Sequence, residues 1–287
     1  MTRLVGITGA SGFIGRHLRA ALEARGDRVI ALGRDVTLPA DCSPDAIVNL
    51  AGARILGMPW TRRRRQLLRD SRIDLTRRLV AGLAGRAQRP TVLVNASAIG
   101  YYGVRDATPV DESAAPQPIF QSQLCADWEQ AAAQAGALGM RVVLLRFGVV
   151  LGSDGGALPQ LALPVRLGLG TVLGGGNQGS PWIHIDDAVR LILFALDEAR
   201  LAGPVNAVSP EQVSHRTFQQ TLARVLRRPL WMRVPAPVLR AALGEMAQLL
   251  VDGSYVLPLR AREAGFMFQH ETLEPALRDL LRHHPHS

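Results

Sequence analysis

The run Thr8-Gly9-Ala10-Ser11-Gly12-Phe13-Ile14-Gly15 follows directly on the apolar stretch Leu4 to Ile7. Residues of these types in this order suit the holding of a pyrophosphate. Gly9 and Gly12 let backbone approach an anion with no Cβ in the way, and Gly15 lets the next helix pack close to the sheet. That helix is amphipathic through Ile14, Leu18, Ala21 and Leu22, so its free N–H groups and positive dipole end face the loop. A glycine pattern alone matches many turns. With a strand before it and a helix after it, the pattern reads as a dinucleotide-binding loop, with Gly9, Ser11, Gly12, Phe13, Ile14 and Gly15 as candidate contacts.

The second strand of such a unit ends about twenty residues further on, where a carboxylate normally holds a free ribose 2′-hydroxyl. Here that position reads Leu32-Gly33-Arg34. A guanidinium grips a 2′-phosphate through charged hydrogen bonds of roughly 1.5–3 kcal/mol, which predicts NADP(H) over NAD(H) by about one to two orders of magnitude. Asp35 opposes part of that field. Leu50-Ala51-Gly52 ends a further strand, where small residues let a nucleotide lie against backbone. In the following helix Leu68, Leu75, Leu79 and Leu83 form an inward stripe that also carries Arg72. An inward arginine needs an anion, either a protein carboxylate or a cofactor phosphate.

The elements that position these residues alternate between strand and helix periods, which predicts an α/β fold: a doubly wound parallel sheet of the dinucleotide-binding Rossmann type. The expected strands are Leu4 to Ile7, Arg28 to Leu32, Ala46 to Leu50, Thr91 to Asn95, Arg141 to Phe147 and Val205 to Val208. Helices are expected over Thr61–Ala84, Gln121–Ala135, Leu158–Leu167 and Asp187–Ala199. The interval from Arg34 to Asp45 is too short for a helix plus a strand, so one βα unit is expected to shrink to a brief strand around Val36. Residues 1–152, with 182–208 returning to them, form the expected dinucleotide-binding domain. Residues 153–181 and 209–287 form a smaller α-rich lobe with helices at Thr217–Leu226, Pro237–Leu250 and Leu273–Leu281. A substrate belongs in the cleft between them.

Composition narrows the function. The 287 residues are 47% apolar and carry a net charge of +9, enough for a substantial core. Arg62 to Arg65 is the densest basic run, but four consecutive arginines on a helix point in all directions and no interleaved aromatics accompany them, which argues against nucleic acid. No apolar run is long enough to span a bilayer, and no signal peptide precedes the first strand, so a cytoplasmic location is expected. Cys42 and Cys125 form no disulfide framework and have no metal-ligand spacing. In His184-Ile185-Asp186-Asp187 an Asp before an apolar-periodic run reads as a helix N-cap rather than a metal ligand. The terminal His283, His284 and His286 read as a frayed end. No metal site is expected.

Beyond the glycine loop, Asp45 to Gly52, Asn95 to Gly103, Arg146 to Gly152, Trp182 to Asp187 and Pro204 to Val208 resemble the extended short-chain dehydrogenase/reductases, the nucleotide-sugar epimerase class. Trp60-Thr61, Asp70-Ser71-Arg72-Ile73, Ser97-Ala98-Ile99-Gly100-Tyr101-Tyr102-Gly103, Asp127-Trp128-Glu129, Gly148-Val149-Val150-Leu151-Gly152 and Gly244-Glu245-Met246 resemble an atypical subgroup, epimerase-family proteins sometimes mislabelled as cell-division inhibitors. The resemblance covers nearly the whole chain. It implies NADP(H) binding, with Gly33, Arg34, Leu50, Ala51, Arg72 and Val149 at positions similar to the family's cofactor contacts, and it implies no particular substrate.

Ordinary members of that class use a Tyr acidified by a Lys four residues later. This chain contains no lysine, so all 33 of its basic residues are arginine. Counting back from Glu129, the Tyr slot holds Gln121 and the Lys slot holds Cys125. Ser97 matches the position of the hydroxyl that bonds a substrate oxygen, or else bonds the loop backbone. Tyr101 and Tyr102 either present a phenol to the nicotinamide, with Arg105 nearby, or pack as an aromatic loop. Cys125 reads as a small buried hydrophobe rather than a nucleophile. Two functions stay open: an NADP(H)-dependent oxidoreductase or epimerase acting on a small polar substrate, nucleotide-linked compounds included, or an NADP(H) sensor that has lost the catalytic pair. Related folds often pair through the two long helices of the main domain, so a homodimer is one open assembly; the sequence does not decide the oligomeric state.

Overall fold

The computed structural model describes residues 2–39, 42–55, 59–105 and 107–282; the terminal histidine cluster lies outside the described residues. The chain opens with β1 (Leu4–Thr8), α1 (Phe13–Ala24), β2 (Arg28–Leu32) and β3 (Ala46–Asn49). A long helical segment follows as α2 (Arg62–Arg69), a π-helical turn at Asp70–Asp74 and α3 (Leu75–Ala84). Next come β4 (Val92–Ala98), α4 (Phe120–Ala133) and β5 (Arg141–Phe147). The short β6 (Val149–Leu151), α5 (Leu158–Arg166), β7 (Thr171–Leu173) and β8 (Trp182–His184) lead into α6 (Ile185–Asp197) and β9 (Gly203–Ala207).

Six of these strands form one parallel sheet in the order β2-β1-β3-β4-β5-β9. Its central strands are apolar runs because both faces are covered. Val92 and Val94 enter one core cluster with Leu18 and Leu22 of α1, while Leu93 between them enters a second with Leu75, Leu79 and Leu83 of α3. The inward leucine stripe is therefore present. The strand order reverses beside β1, which places the glycine loop at the switch point where ligands of open α/β sheets bind.

Three expectations need correction. No strand forms around Val36, which sits at φ 52°, a backbone that cannot continue a strand; its buried side chain instead pins the loop onto the Leu79–Leu83 side of the core. The N-cap of α6 is His184, not an aspartate: its Nδ1 accepts the Asp186 N–H at 3.1 Å. Asp187 is fully buried and accepts the Gln269 and His270 N–H groups at 2.9 and 2.8 Å as well as Arg190, so it ties the C-terminal segment to α6. The helix expected over Pro237–Leu250 is split by a turn at Gly244–Ala247.

The remaining elements are α7 (His215–Val225), β10 (Met232–Val234), α8 (Ala236–Leu243), α9 (Gln248–Val251), α10 (Leu259–Glu263) and α11 (Leu273–Arg282). They lie beside β6 and β8, which pair with each other, and β7, which pairs with β10. Arg260 fastens this part to the main sheet by donating to the Pro204 carbonyl at 2.8 Å. Among the described residues no helix is long and apolar enough to cross a membrane.

Candidate functional site

The glycine loop is built for close approach. Gly9 adopts φ 69°, and a Cβ there would lie 2.9 Å from the Leu50 carbonyl carbon; a Cβ on Gly15 would lie 2.2 Å from the Gly9 oxygen. The Gly12 N–H closes the turn onto the Gly9 oxygen at 2.9 Å. Helix α1 then begins with no side-chain cap and no acidic residue in its first turn, whereas α2, α6 and α7 are capped by Thr61, His184 and Ser214. Unanswered N–H groups at the positive end of a 12-residue helix favour an anion. Ser11 is exposed at the loop tip and Ile14 half-buried. The Phe13 ring packs on the backbone of Gly152, Gly155 and Gly156, where added Cβ atoms would fall within 2.7 Å of it, and so it fastens the loop to the segment after β6.

Gly33 and Arg34 lie exposed just past β2. The Arg34 carbonyl accepts from Arg78 at 3.2 Å, while the Arg34 guanidinium has no side-chain partner among the described residues. Leu50 and Ala51 run beside β1, their N–H groups bonding the Thr8 carbonyl and hydroxyl at 3.2 Å each. Gly52 abuts Arg72, whose guanidinium carbon would lie 3.1 Å from a Cβ at that glycine. Arg72 sits in the π-helical turn, a deviation often found at functional positions. It donates to the Ala53 carbonyl at 2.9 Å and lies 5.3 Å over the Trp128 ring. No carboxylate pairs with it among the described residues, and burial lowers its pKa. Of the two partners expected for an inward arginine, the protein one is missing.

Ser97, Tyr101 and Tyr102 belong to a different construction. Parallel register sets Ser97, Arg146 and Asn206 abreast on β4, β5 and β9. The Ser97 hydroxyl donates to Glu129 Oε1 at 2.6 Å, and Arg146 grips the same carboxylate with two bonds of 2.8 Å. Arg146 also donates to the Tyr102 hydroxyl at 2.9 Å, and that hydroxyl donates to Asn206 at 2.6 Å. Tyr101 lies with its ring 3.5 Å from the Arg146 guanidinium carbon. Burial pushes the Tyr102 phenol up to about 12 despite its Arg146 neighbour. The three residues expected to handle a substrate proton thus stand in or against this network. None of the three lines the cleft, and the hydroxyls of Ser97 and Tyr102 are consumed by an internal ion-pair network. Cys125 is buried, and its thiol is likewise pushed up to about 12 by burial and by Glu129, which fits the hydrophobe reading.

Between the sheet edge and the C-terminal helices lies a cleft of about 190 Å³. Its walls are Ile99, Gly100 and Val149 on the sheet side, Leu161 and Leu173 on one flank, and Phe218 on α7 opposite. Val149 is the expected cofactor contact that it reaches. Two polar side chains in its lining are nearly buried, Gln121 at 3% and His215 at 9% exposure, and among the described residues Gln121 Oε1 and His215 Nε2 have no hydrogen-bond partner. Burial alone depresses His215 to about 4. Sequence reasoning noted Gln121 only as the occupant of the tyrosine slot and passed over His215, since nothing in its neighbours marks it.

A second histidine cluster, His184 with His270 and Asp279, stands elsewhere. The two rings stack at 3.7 Å, and His184 Nε2 lies 3.4 Å from Asp279. Because Nδ1 accepts the capping bond, a neutral His184 carries its proton on Nε2, and a metal at that nitrogen would compete with the cap.

Residues 5–208 match the NAD dependent epimerase/dehydratase family, and residues 234–280 match a domain of unknown function, DUF1731. The epimerase family protein YfhF of Bacillus subtilis is 36% identical, with 96% of this chain and 97% of that protein covered. The homolog of SDR39U1 in Arabidopsis thaliana, described as chloroplastic, is 36% identical over 97% of this chain and 86% of its own length. Among solved structures, the human epimerase family protein SDR39U1, isoform 2, crystallised with NADPH, superposes with a TM-score of 0.90 at 32% identity, covering 98% of this chain and 99% of that one.

Proposed function

Because the chain belongs to the NAD dependent epimerase/dehydratase family, as an atypical extended short-chain dehydrogenase/reductase of the SDR39U1-like kind, we propose that it binds NADP(H) and acts as an oxidoreductase or epimerase on a small molecule. The observation that carries the choice of coenzyme is the exposed guanidinium of Arg34 at the end of β2, without a partner among the described residues, where a carboxylate would select NAD(H). Two further features support it: the uncapped start of α1 and the carboxylate-free Arg72 beside Gly52. The human relative crystallised with NADPH supports the same reading.

In this reading the first turn of α1, with Gly9, Ser11, Gly12 and Gly15, holds the pyrophosphate. Arg34, with Gly33 leaving room, holds the 2′-phosphate. Leu50, Ala51 and Gly52 give the nucleotide a flat backbone surface, and Arg72 neutralises a cofactor phosphate. Val149 leads from the nicotinamide end into the cleft. Bound nicotinamide supplies hydride transfer; the protein supplies orientation and exclusion of water. The proton-handling group is not the Tyr/Lys pair, whose slots hold Gln121 and Cys125.

That same substitution favours a second reading, an NADP(H) sensor without catalysis. Fluorescence titration with NADPH and NADH tests the coenzyme assignment, with NADPH bound more tightly; equal affinities overturn it. Incubating the NADPH-loaded protein with panels of carbonyl compounds and sugar nucleotides separates the two readings. Coenzyme oxidation or substrate isomerisation supports the enzyme, and inert mixtures support the sensor.

A further inference from the structure

The chain holds 33 arginines, yet among the described residues none lines the cleft. Among the described residues, the ordinarily charged side chain in its wall is Asp252, which is negative and paired with Arg240 at 3.0 Å. His215 is held neutral at physiological pH by its burial. A diphosphate buried in such a site would lose its hydration with no cation to replace it, and proteins that bind phosphate groups answer that cost with Arg or Lys forks. Size points the same way. At about 190 Å³ the cleft is below the roughly 300–1,000 Å³ typical of pockets for drug-sized ligands.

What the cleft does hold is an apolar surface and two unanswered polar atoms. Gln121 Oε1, in the first turn of α4, and His215 Nε2, at the start of α7, come from different elements and have no partner among the described residues. Buried polar atoms left unpaired cost about 1–3 kcal/mol each, so a ligand that bonds them gains what the empty site lacks. Resting on the cleft being the substrate side of the coenzyme site, we propose that the cleft takes a small uncharged molecule with an apolar skeleton and a hydroxyl that donates to Gln121 Oε1 and bonds His215 Nε2, and that it does not take nucleoside-diphosphate-linked compounds. The substrate expectation drawn from the epimerase resemblance narrows accordingly.

The test uses the intact protein, with and without NADPH, and two probes observed by saturation-transfer NMR: 4-tert-butylcyclohexanol, neutral and hydroxyl-bearing, and UDP-glucose. The neutral probe is expected to bind saturably, and Gln121→Leu and His215→Phe are each expected to weaken it about fivefold, the equivalent of one neutral hydrogen bond. UDP-glucose is expected to show no saturable binding. Thermal melts and NADPH titration of both variants verify that fold and coenzyme site are retained. UDP-glucose binding more tightly than the neutral probe, a neutral probe that does not saturate, or one indifferent to both substitutions overturns the proposal. Loss of NADPH binding by the unmodified protein would overturn the coenzyme reading instead, while the probe arms on the NADPH-free protein still report on the cleft.

Discussion

Replacing Arg34 by Ala removes the guanidinium at the end of β2 and little else. Its side chain is exposed and bonds no other described group, and its carbonyl, which accepts from Arg78, is retained. Fold stability is therefore expected to change by less than about 0.5 kcal/mol, as for surface substitutions generally. The effect on coenzyme binding is a charged hydrogen-bond contribution, roughly 1.5–3 kcal/mol. Exposure and screening by solvent place this site in the lower part of that range. Asp35, close enough for its Oδ1 to lie 3.0 Å from where a Cβ on Gly33 would stand, already offsets part of the field. About 1.5–2 kcal/mol corresponds to a tenfold to roughly thirtyfold weaker NADPH complex. NADH lacks the 2′-phosphate and is expected to change less than about twofold. Nicotinamide fluorescence titrations at two ionic strengths read both values, and the NADPH penalty should shrink at higher salt. Equal weakening of the two coenzymes, or unchanged NADPH affinity, would refute the reasoning.

Three other substitutions probe separate parts of the account. Arg72→Met removes a half-buried cation that has no carboxylate, so the coenzyme-free protein should keep or gain stability while both coenzymes bind about tenfold more weakly; thermal melts and titrations check this, and lost stability with intact affinity contradicts it. Glu129→Gln leaves Arg146 buried at 2% exposure without its carboxylate and should cost about 3–5 kcal/mol in urea unfolding; a change under about 1 kcal/mol would contradict the network assignment. His215 titrates at about 4 in the folded chain against 6.5 ordinarily. The unfolded chain thus binds more protons between those values, and stability is flat above pH 6.5 with respect to this group and falls as pH drops toward 4, by up to about 3 kcal/mol. His215→Phe should flatten that part of the wild-type pH–stability curve, and parallel curves would contradict the assignment.

The elements that carry the candidate coenzyme contacts were legible because their determinants are local. Strand, glycine loop and helix are contiguous, the leucine stripe of α3 is periodic, and Arg72 falls on that stripe whether or not a π turn interrupts the helix. The cleft was not legible, since Gln121 on α4 and His215 on α7 meet in one lining only through the packing of distant segments and neither stands in a pattern. The bonding of Ser97 was hidden for a related reason. Its place at the end of β4 is correct, but its partner Glu129 lies 32 residues away on α4, and the match of hydroxyl to carboxylate appears only when β4, β5 and α4 are assembled. Val36 and the aspartates at the start of α6 failed on local detail: a positive φ in one case, and in the other a histidine that takes the capping position, so that both aspartates fall inside the first turn.

The central claim is that guanidinium chemistry at the end of β2 receives the 2′-phosphate of NADP(H). Phosphorus NMR of NADP+ added to the protein observes that group directly. On binding, its resonance should move and its titration should fall below the ordinary value of about 6 for a phosphate monoester, with both changes lost in Arg34→Ala. A 2′-phosphate that titrates as in free solution while the pyrophosphate signals show the coenzyme bound would contradict the account.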